Sequence, residues 1–535
     1  MICVLVLNEN LGSHGDPGSP RSRNLSHGES RVKQMFFYIC LLGILLSFAK
    51  VGQANAQDRQ PVEVIEVDTQ GPSHPFPHFW EQMFGSGRAI LSLRESYRKD
   101  LREVKSITDF QYVRFHAIFH DEVGLYDEDS EGNPVYNFSY VDQIYDGLLQ
   151  NHVRPFVELS FMPKKLASAD VVHPFWYKQN VSPPKDYDRW AAMISAFAKH
   201  LIDRYGIDEV SKWYFELWNE PNIDFWAGDP KEATYYHLYD VTAVALKNVS
   251  PRLRVGGPAT AQAAWVDRFI RHCVENQIPV DFVSTHVYGN DTSEDVFQTV
   301  KAIPLNKMIC SAVDKVHNQI KSSRKPDLPL IWSEFNAVYN TNPKIEDSAF
   351  MGPWLGDTIR QCDGLTDIMS YWAFSDVFEE QGVIRKPFYG GYGLLAEGGV
   401  PKPIFNAFKL LHNLGDQRID VASDAMLVTR RADGSLVLAV WNFSLPDDPG
   451  HPVNMTIHLK QLKSVLRAVV TEIDSEHGSP LPAYHAMGEP PSPTAQQYAE
   501  LRKAAELPPA RIEKITNGTL ALRLPPKSLF LIEIR

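Results

Sequence analysis

The sequence predicts a (β/α)8 barrel followed by a small accessory β-sandwich at the C-terminus. Three observations carry that reading. Eight short β-rich runs alternate with helix-patterned stretches between about 79 and 414. No Gly-rich phosphate loop follows the first run, which sets aside an open doubly wound sheet. After about 416 the helical stretches give way to runs of alternating apolar and polar residues.

The eight runs are Phe79–Gly85, Tyr112–Ile118, Pro155–Phe161, Trp213–Trp218, Arg254–Pro258, Phe282–Tyr288, Leu328–Phe335 and Ile368–Phe378. The helical patterns between them are Ser96–Ile107, Val141–Asn151, Tyr187–Tyr205, Ala233–Asn248, Ala264–Gln277, Ala302–Lys321 and Phe350–Asp363, with Pro401–Leu414 after the last run. The sandwich strands are expected at Ala425–Thr429, Leu436–Phe443, Val453–Leu459, Ser464–Ile473, Leu520–Leu524 and Ser528–Ile534. Between Gly478 and Pro509 a Pro-, Ala- and Glu-rich segment carries one helical stretch, Thr494–Glu506. The strand-like Pro61–Val67 is expected to join the sandwich rather than the barrel. The reading therefore divides the chain into 1–56, 57–78, 79–415 and 416–535.

Residues 1–56 read as a targeting segment. Arg31 and Lys33 precede an apolar run from Met35 to Ala49, and Ala54-Asn55-Ala56 has the small-x-small form that signal peptidases cut. The run is shorter than the ~20 residues of a spanning helix, so a cleaved signal peptide is expected, with a secreted or periplasmic product and no membrane partner afterwards. Met35 is a second candidate start.

Of 535 residues, 44% are apolar and 22% charged, the balance of a folded protein. The formal net charge of -12 argues against a nucleic-acid partner. Beyond the targeting segment only Cys273, Cys310 and Cys362 remain. Their wide spacing suggests neither a disulfide framework nor a metal knuckle, and they are expected as small buried apolar residues. His116 and His120 are four apart, but they follow a β-rich run, where that spacing does not place two imidazoles on one helix face. No metal and no cofactor are expected.

The chemistry lies at strand ends. Trp213-Tyr214-Phe215-Glu216-Leu217-Trp218-Asn219-Glu220-Pro221-Asn222 is a β-rich run that ends in a glutamate at the C-terminal end of the fourth strand, with Pro221 marking the exit into a loop. Leu330-Ile331-Trp332-Ser333-Glu334-Phe335-Asn336 repeats the form on the seventh strand. A barrel places those two carboxylates across its mouth from each other. Glycoside hydrolysis needs such a pair: one acid to protonate the leaving oxygen, one carboxylate to attack the anomeric carbon. Strand ends at Arg114-Phe115-His116, His286-Val287-Tyr288 and Trp372, with Phe378-Glu379-Glu380 beyond, would complete a pocket.

The pair Trp-Asn-Glu-Pro-Asn at 218–222 and Ile-Trp-Ser-Glu-Phe-Asn at 331–336 resembles glycoside hydrolase family 39, which includes β-xylosidases and α-L-iduronidase. Phe84-Gly85-Ser86-Gly87-Arg88-Ala89, Val113-Arg114-Phe115-His116, Ser375-Asp376-Val377-Phe378-Glu379-Glu380 and Pro387-Phe388-Tyr389-Gly390-Gly391-Tyr392-Gly393-Leu394-Leu395 are similar to the family's β-xylosidases. So are Ile473-Asp474-Ser475-Glu476-His477 and Met487-Gly488 with Pro493-Thr494 near the C-terminus. Ala117 departs from the pattern, standing where xylosidases often carry glycine.

The resemblance implies a retaining exo-glycosidase acting on β-D-xylosides, with Glu220 as acid/base and Glu334 as nucleophile. It implies that Asn219 bonds the sugar's 2-hydroxyl and that His116, His286, Tyr288, Trp372 and Glu379 line the same subsite, and it implies no cofactor. Its partner would be a small carbohydrate such as a xylo-oligosaccharide. An α-L-iduronidase-like enzyme, another neutral-glycoside hydrolase, a transglycosylase and a sugar-binding pseudoenzyme are the alternatives. Glu379 and Glu380 favour a neutral sugar over a uronate, which needs cationic partners.

Overall fold

The eight expected strands close into a parallel barrel whose strand order follows the chain. They are Met83–Ser86, Tyr112–Phe115, Arg154–Leu159, Tyr214–Leu217, Arg254–Thr260, Phe282–Tyr288, Leu330–Asn336 and Ile368–Tyr371. The computed structural model describes residues 62–461 and 467–535. The targeting segment read at 1–56 and the start of the run read at 464–473 lie outside the described residues.

Parallel strands sheathed by helices are buried on both faces, which is why these runs are apolar almost throughout rather than alternating. Phe282–Tyr288 and Leu330–Asn336 are buried at every position. The helix Tyr187–Tyr205 shows the local logic of the outer ring. The Asp186 carboxylate caps its first turn by accepting from the Asp188 and Arg189 amides, and Gly206, at φ 79°, releases the chain at its end. The eighth strand stops at Tyr371, well before the expected Phe378, because the chain turns inward at Trp372 to lay that indole against Gly85. A Cβ on Gly85 would sit 2.0 Å from the ring, so only glycine fits there.

The sandwich pairs a three-stranded sheet with a seven-stranded one. Val62–Asp68 forms the edge of the small sheet, running parallel to Val453–Lys460 with Val64 opposite Thr456. Ser73–Pro75 adds to the large sheet beside Gln417–Ile419. Arg511–Lys514, just past the Pro-rich segment and not among the expected strands, is a further strand of that sheet. Both ends of the described chain thus build one sandwich, and barrel and sandwich form a single compact unit.

The large sheet is buried on both faces. Met426, Val428, Leu438 and Val440 point into the core between the sheets, while Leu427, Val437, Ala439 and Trp441 join the barrel core. The helix Met351–Cys362 lies on that second face, and Gly356 lets it close on Trp441, where a Cβ would come to 3.0 Å of the ring.

The cysteine reading is corrected. Cys273 is buried and free, but Cys310 and Cys362 form a disulfide. Their 52-residue separation gave no local signal in the sequence; the fold pairs them by packing the helix Leu305–Lys321 against Met351–Cys362 on either side of the strand that carries Glu334. A cross-link closing a loop of this length restricts the unfolded chain strongly. Replacing both cysteines by serine should lower the unfolding free energy by about 2–4 kcal/mol, measured by urea denaturation, with no loss of the folded state at ambient temperature.

Candidate active site

At the C-terminal end of the barrel, strand ends and loops enclose a cavity of about 330 Å³. Asn219 and Glu220 enter it where the fourth strand gives out. Trp218 and Glu220 adopt φ of 66° and 44°, left-handed values that side-chain-bearing residues rarely take. The surrounding structure holds them there: the Trp218 indole N–H donates to the Phe225 carbonyl at 2.7 Å, and the Glu220 amide donates to the Ala259 carbonyl at 2.8 Å. Ala117 is a third such residue, with φ 73°, which accounts for the glycine common at this place in the pattern it resembles.

Glu334 arrives by a different device. The seventh strand slips register against both neighbours near this residue, so that His286 lies opposite Glu334 and the next matched pair is Phe335 with Tyr371. Such a bulge re-aims one side chain into the barrel mouth. Single carboxylate oxygens of Glu220 and Glu334 and a ring nitrogen of His286 all lie within 4.8 Å of one another.

Arg114, which the sequence reading quoted but gave no role, organises the floor of the site. It is fully buried. Its guanidinium donates to Glu216 at 2.6 Å, Glu334 at 3.1 Å and the Asn219 side-chain carbonyl at 2.9 Å, and it pairs with Glu158 at 2.8 Å. With its oxygen occupied by Arg114, the Asn219 amide has its N–H₂ left to face the cavity.

The two glutamates sit in unlike electrostatic settings. Burial, and then the charge of Glu334, push the Glu220 carboxyl well above the usual carboxylate range. Burial leaves Glu334 raised as well, but Arg114, His116 and a hydrogen bond from the Tyr288 hydroxyl oppose that rise, so it is raised less than Glu220. His286 is held far below its ordinary pKa by burial and by the positive charges of Arg114 and His116. It is therefore neutral, with Nδ1 3.1 Å from Glu220 and Nε2 3.1 Å from the Ser333 hydroxyl.

His116, Asn219, Glu220, Tyr288, Glu334 and Trp372 all line the cavity. His116 Nδ1 lies 2.7 Å from Glu158. Burial works against charging it, but Glu158 outweighs that cost and raises its pKa. The expectation for two residues needs correcting. His286 is wholly buried behind the carboxylates and has no face on the cavity. Glu379 turns away and is neutralised by Arg94 at 2.6 Å and Arg88 at 3.2 Å, while Glu380 is the one that lines the cavity. Burial lifts the Glu380 carboxyl to about 8. Two adjacent glutamates in a loop are indistinguishable by sequence pattern; Arg88 and Arg94, brought up from the first strand's exit, decide which one faces out.

Cutting Arg114 back to methionine leaves Glu158, Glu216 and Glu334 buried without their common partner. The expected cost is about 3–5 kcal/mol in unfolding free energy, read from the shift in denaturation midpoint.

Comparison with known proteins agrees with this geometry. The model for glycosyl hydrolases family 39 matches residues 63–518. A β-xylosidase of Geobacillus stearothermophilus is 36% identical over 486 residues, 88% of this chain and 95% of that protein. Among solved structures, a monomeric β-xylosidase from Caulobacter crescentus CB15 superposes with a TM-score of 0.79 at 34% identity, over 88% of this chain and all but 1% of its own (99%). The family 39 enzyme of Xanthomonas axonopodis pv. citri does so with a TM-score of 0.79 at 31% identity, over 90% of this chain and 100% of its own. The chain belongs to glycoside hydrolase family 39.

Proposed function

We propose that the protein is a retaining exo-acting β-D-xylosidase that removes xylose from the ends of xylo-oligosaccharides. The observation that carries the reading is the unequal pair: two carboxylates whose oxygens approach within 4.8 Å, one kept protonated and one drawn toward ionisation. That short approach suits a direct attack on the sugar and leaves no room for a water between carboxylate and anomeric carbon, as the wider spacing of inverting enzymes does.

In the first step the Glu334 carboxylate attacks the anomeric carbon, and the glycosidic bond breaks. Glu220 gives its proton to the departing oxygen. In the second step Glu220, now a carboxylate, takes a proton from water, whose oxygen displaces Glu334 and restores the original anomeric configuration. Arg114 and Tyr288 hold Glu334 as the anion that attacks. Asn219 presents N–H groups to a sugar hydroxyl, and the Trp372 ring offers an apolar face for a pyranose. A small cavity fits a chain end, hence exo action.

A xyloside is favoured over a uronate because no lysine or arginine lines the cavity among the described residues, whereas Glu380 does. The activities named for the similar proteins point the same way. The targeting segment read at 1–56 supports export, and with it work on polysaccharide fragments outside the cytoplasm.

The panel that tests the reading is aryl β-D-xyloside, α-L-iduronide and β-D-glucoside, with the first-formed anomer followed by NMR. β-Xylose formed from the β-xyloside is expected; activity on the iduronide alone would overturn the substrate. Glu334→Ala should fall to background on every substrate. Glu220→Ala should lose about 10²–10⁴-fold on poor leaving groups and much less on activated aryl xylosides. The wild-type pH profile should be bell-shaped, rising as Glu334 ionises and falling as Glu220 loses its proton. In Glu220→Gln on an activated substrate the alkaline fall should vanish, and a fall that persists would assign it to Glu380. Glu380→Ala should reduce kcat/KM by about tenfold or more, the worth of a buried hydrogen bond to the substrate, while Glu379→Ala leaves KM nearly unchanged.

A further inference from the structure

At the other end of the barrel, where the chain enters the first strand, two histidines converge on a buried carboxylate. His78 Nδ1 lies 2.7 Å from Glu81 Oε1, and His412 Nδ1 lies 2.9 Å from Glu81 Oε2. The Glu81 side chain has no exposure, whereas His412 is 42% exposed. One donor atom from each residue falls within 4.8 Å of the other two. We propose that His78, Glu81 and His412 form a binding site for a divalent transition-metal cation, zinc being the one that the donor set fits best.

Two imidazole nitrogens and one carboxylate oxygen are a common zinc set, with bonds of about 2.0–2.2 Å and a fourth position for water. Around an ion the three atoms would stand about 3.4 Å apart; each imidazole nitrogen now lies 2.7 to 3.0 Å from the Glu81 carboxylate, so both have to draw back from it to admit one. The freest of the three is the exposed one, His412, just past the end of the helix Pro403–Leu411. Glu81 is buried, and the His78 ring has to ease back from it by less than an ångström. His78 and Glu81 close one turn through the Glu81 amide and the His78 carbonyl, and the His78 ring stacks on Trp80 at 4.5 Å. The site opens on a surface cleft, so solvent can supply the fourth ligand; Asp109 and Asp416 line that cleft, and its two arginines, Arg431 and Arg535, are both paired with Glu533. On binding, the ion replaces the proton at each Nδ1: a neutral ring takes a proton from solvent at Nε2 as it gives up the one at Nδ1, and an imidazolium gives up the Nδ1 proton alone, so that each ring ligates as a neutral imidazole. Such an ion would clasp the residues before the barrel to the helix after it, far from Glu220 and Glu334.

Calorimetric titration of zinc chloride into the chelator-treated full chain tests this, beside His412→Ala and Glu81→Gln. Glu220, His286 and Glu334 also lie close together and can take up zinc, so the reading is a difference. The wild type is expected to bind one equivalent more than either variant, with a dissociation constant of about 1 μM or below, and zinc should raise its Tm by more than it raises theirs. Aryl xyloside turnover by chelator-treated His412→Ala should match that of the wild type, which shows that the variant is folded. Equal zinc stoichiometry and equal Tm shift in wild type and His412→Ala would overturn the proposal, whatever sugar the enzyme cleaves.

Discussion

One guanidinium settles the charge of the barrel's interior. Arg114 is buried among three glutamates and an asparagine, at a place where an unpaired carboxylate would cost several kcal/mol. The barrel is filled by layers of side chains, and in its upper layer this protein puts ions instead of branched alkanes. That choice is expensive for stability and useful for chemistry. It leaves one carboxyl less raised than its neighbour, at a separation where neither bulk water nor mobile counter-ions can even out the difference. His286 takes part by staying neutral, since a cation at hydrogen-bond distance from Glu220 would favour its ionisation and erase the asymmetry.

Much of the architecture was legible because a parallel barrel writes itself into sequence plainly. Both faces of each strand are covered, so each reads as an unbroken apolar run, and the runs return at regular spacing. Carboxylates at the ends of such runs, as in Trp213–Asn222 and Leu330–Asn336, stand out for the same reason: a charge there must face the mouth or the core. Signals carried by contacts between distant residues were not legible. Cys310 and Cys362 meet only because two helices pack around one strand. Arg114 sits inside an apolar run like Glu216, and nothing local says that the two neutralise each other. The choice between Glu379 and Glu380 depends on two arginines nearly three hundred residues away in sequence. The placing of His286 opposite Glu334 comes with a slip in strand register that no periodicity announces.

The sandwich is more than an appendage. Its large sheet contributes one face to its own core and the other to the barrel's, and the helix Met351–Cys362 lies between them. This helix is tied by the disulfide to its neighbour across the seventh strand. The nucleophile candidate Glu334 is thus carried on a strand braced on two sides, one covalent and one apolar, which suits a group that must hold its position through bond making and breaking.

The edge strand Val62–Asp68 has a consequence of a different kind. Its partner, Val453–Lys460, lies almost four hundred residues downstream. During synthesis the first strand of the described chain therefore has nothing to pair with until nearly all the rest has left the ribosome. The loop it must close spans the whole barrel, which makes this among the latest and slowest of contacts to form. Ile65 and Val67, which the finished sandwich buries, stay exposed in the meantime, while the charges beside them, Glu63, Glu66 and Asp68, blunt premature association. Assembly of the enzyme ends where translation of its described part began.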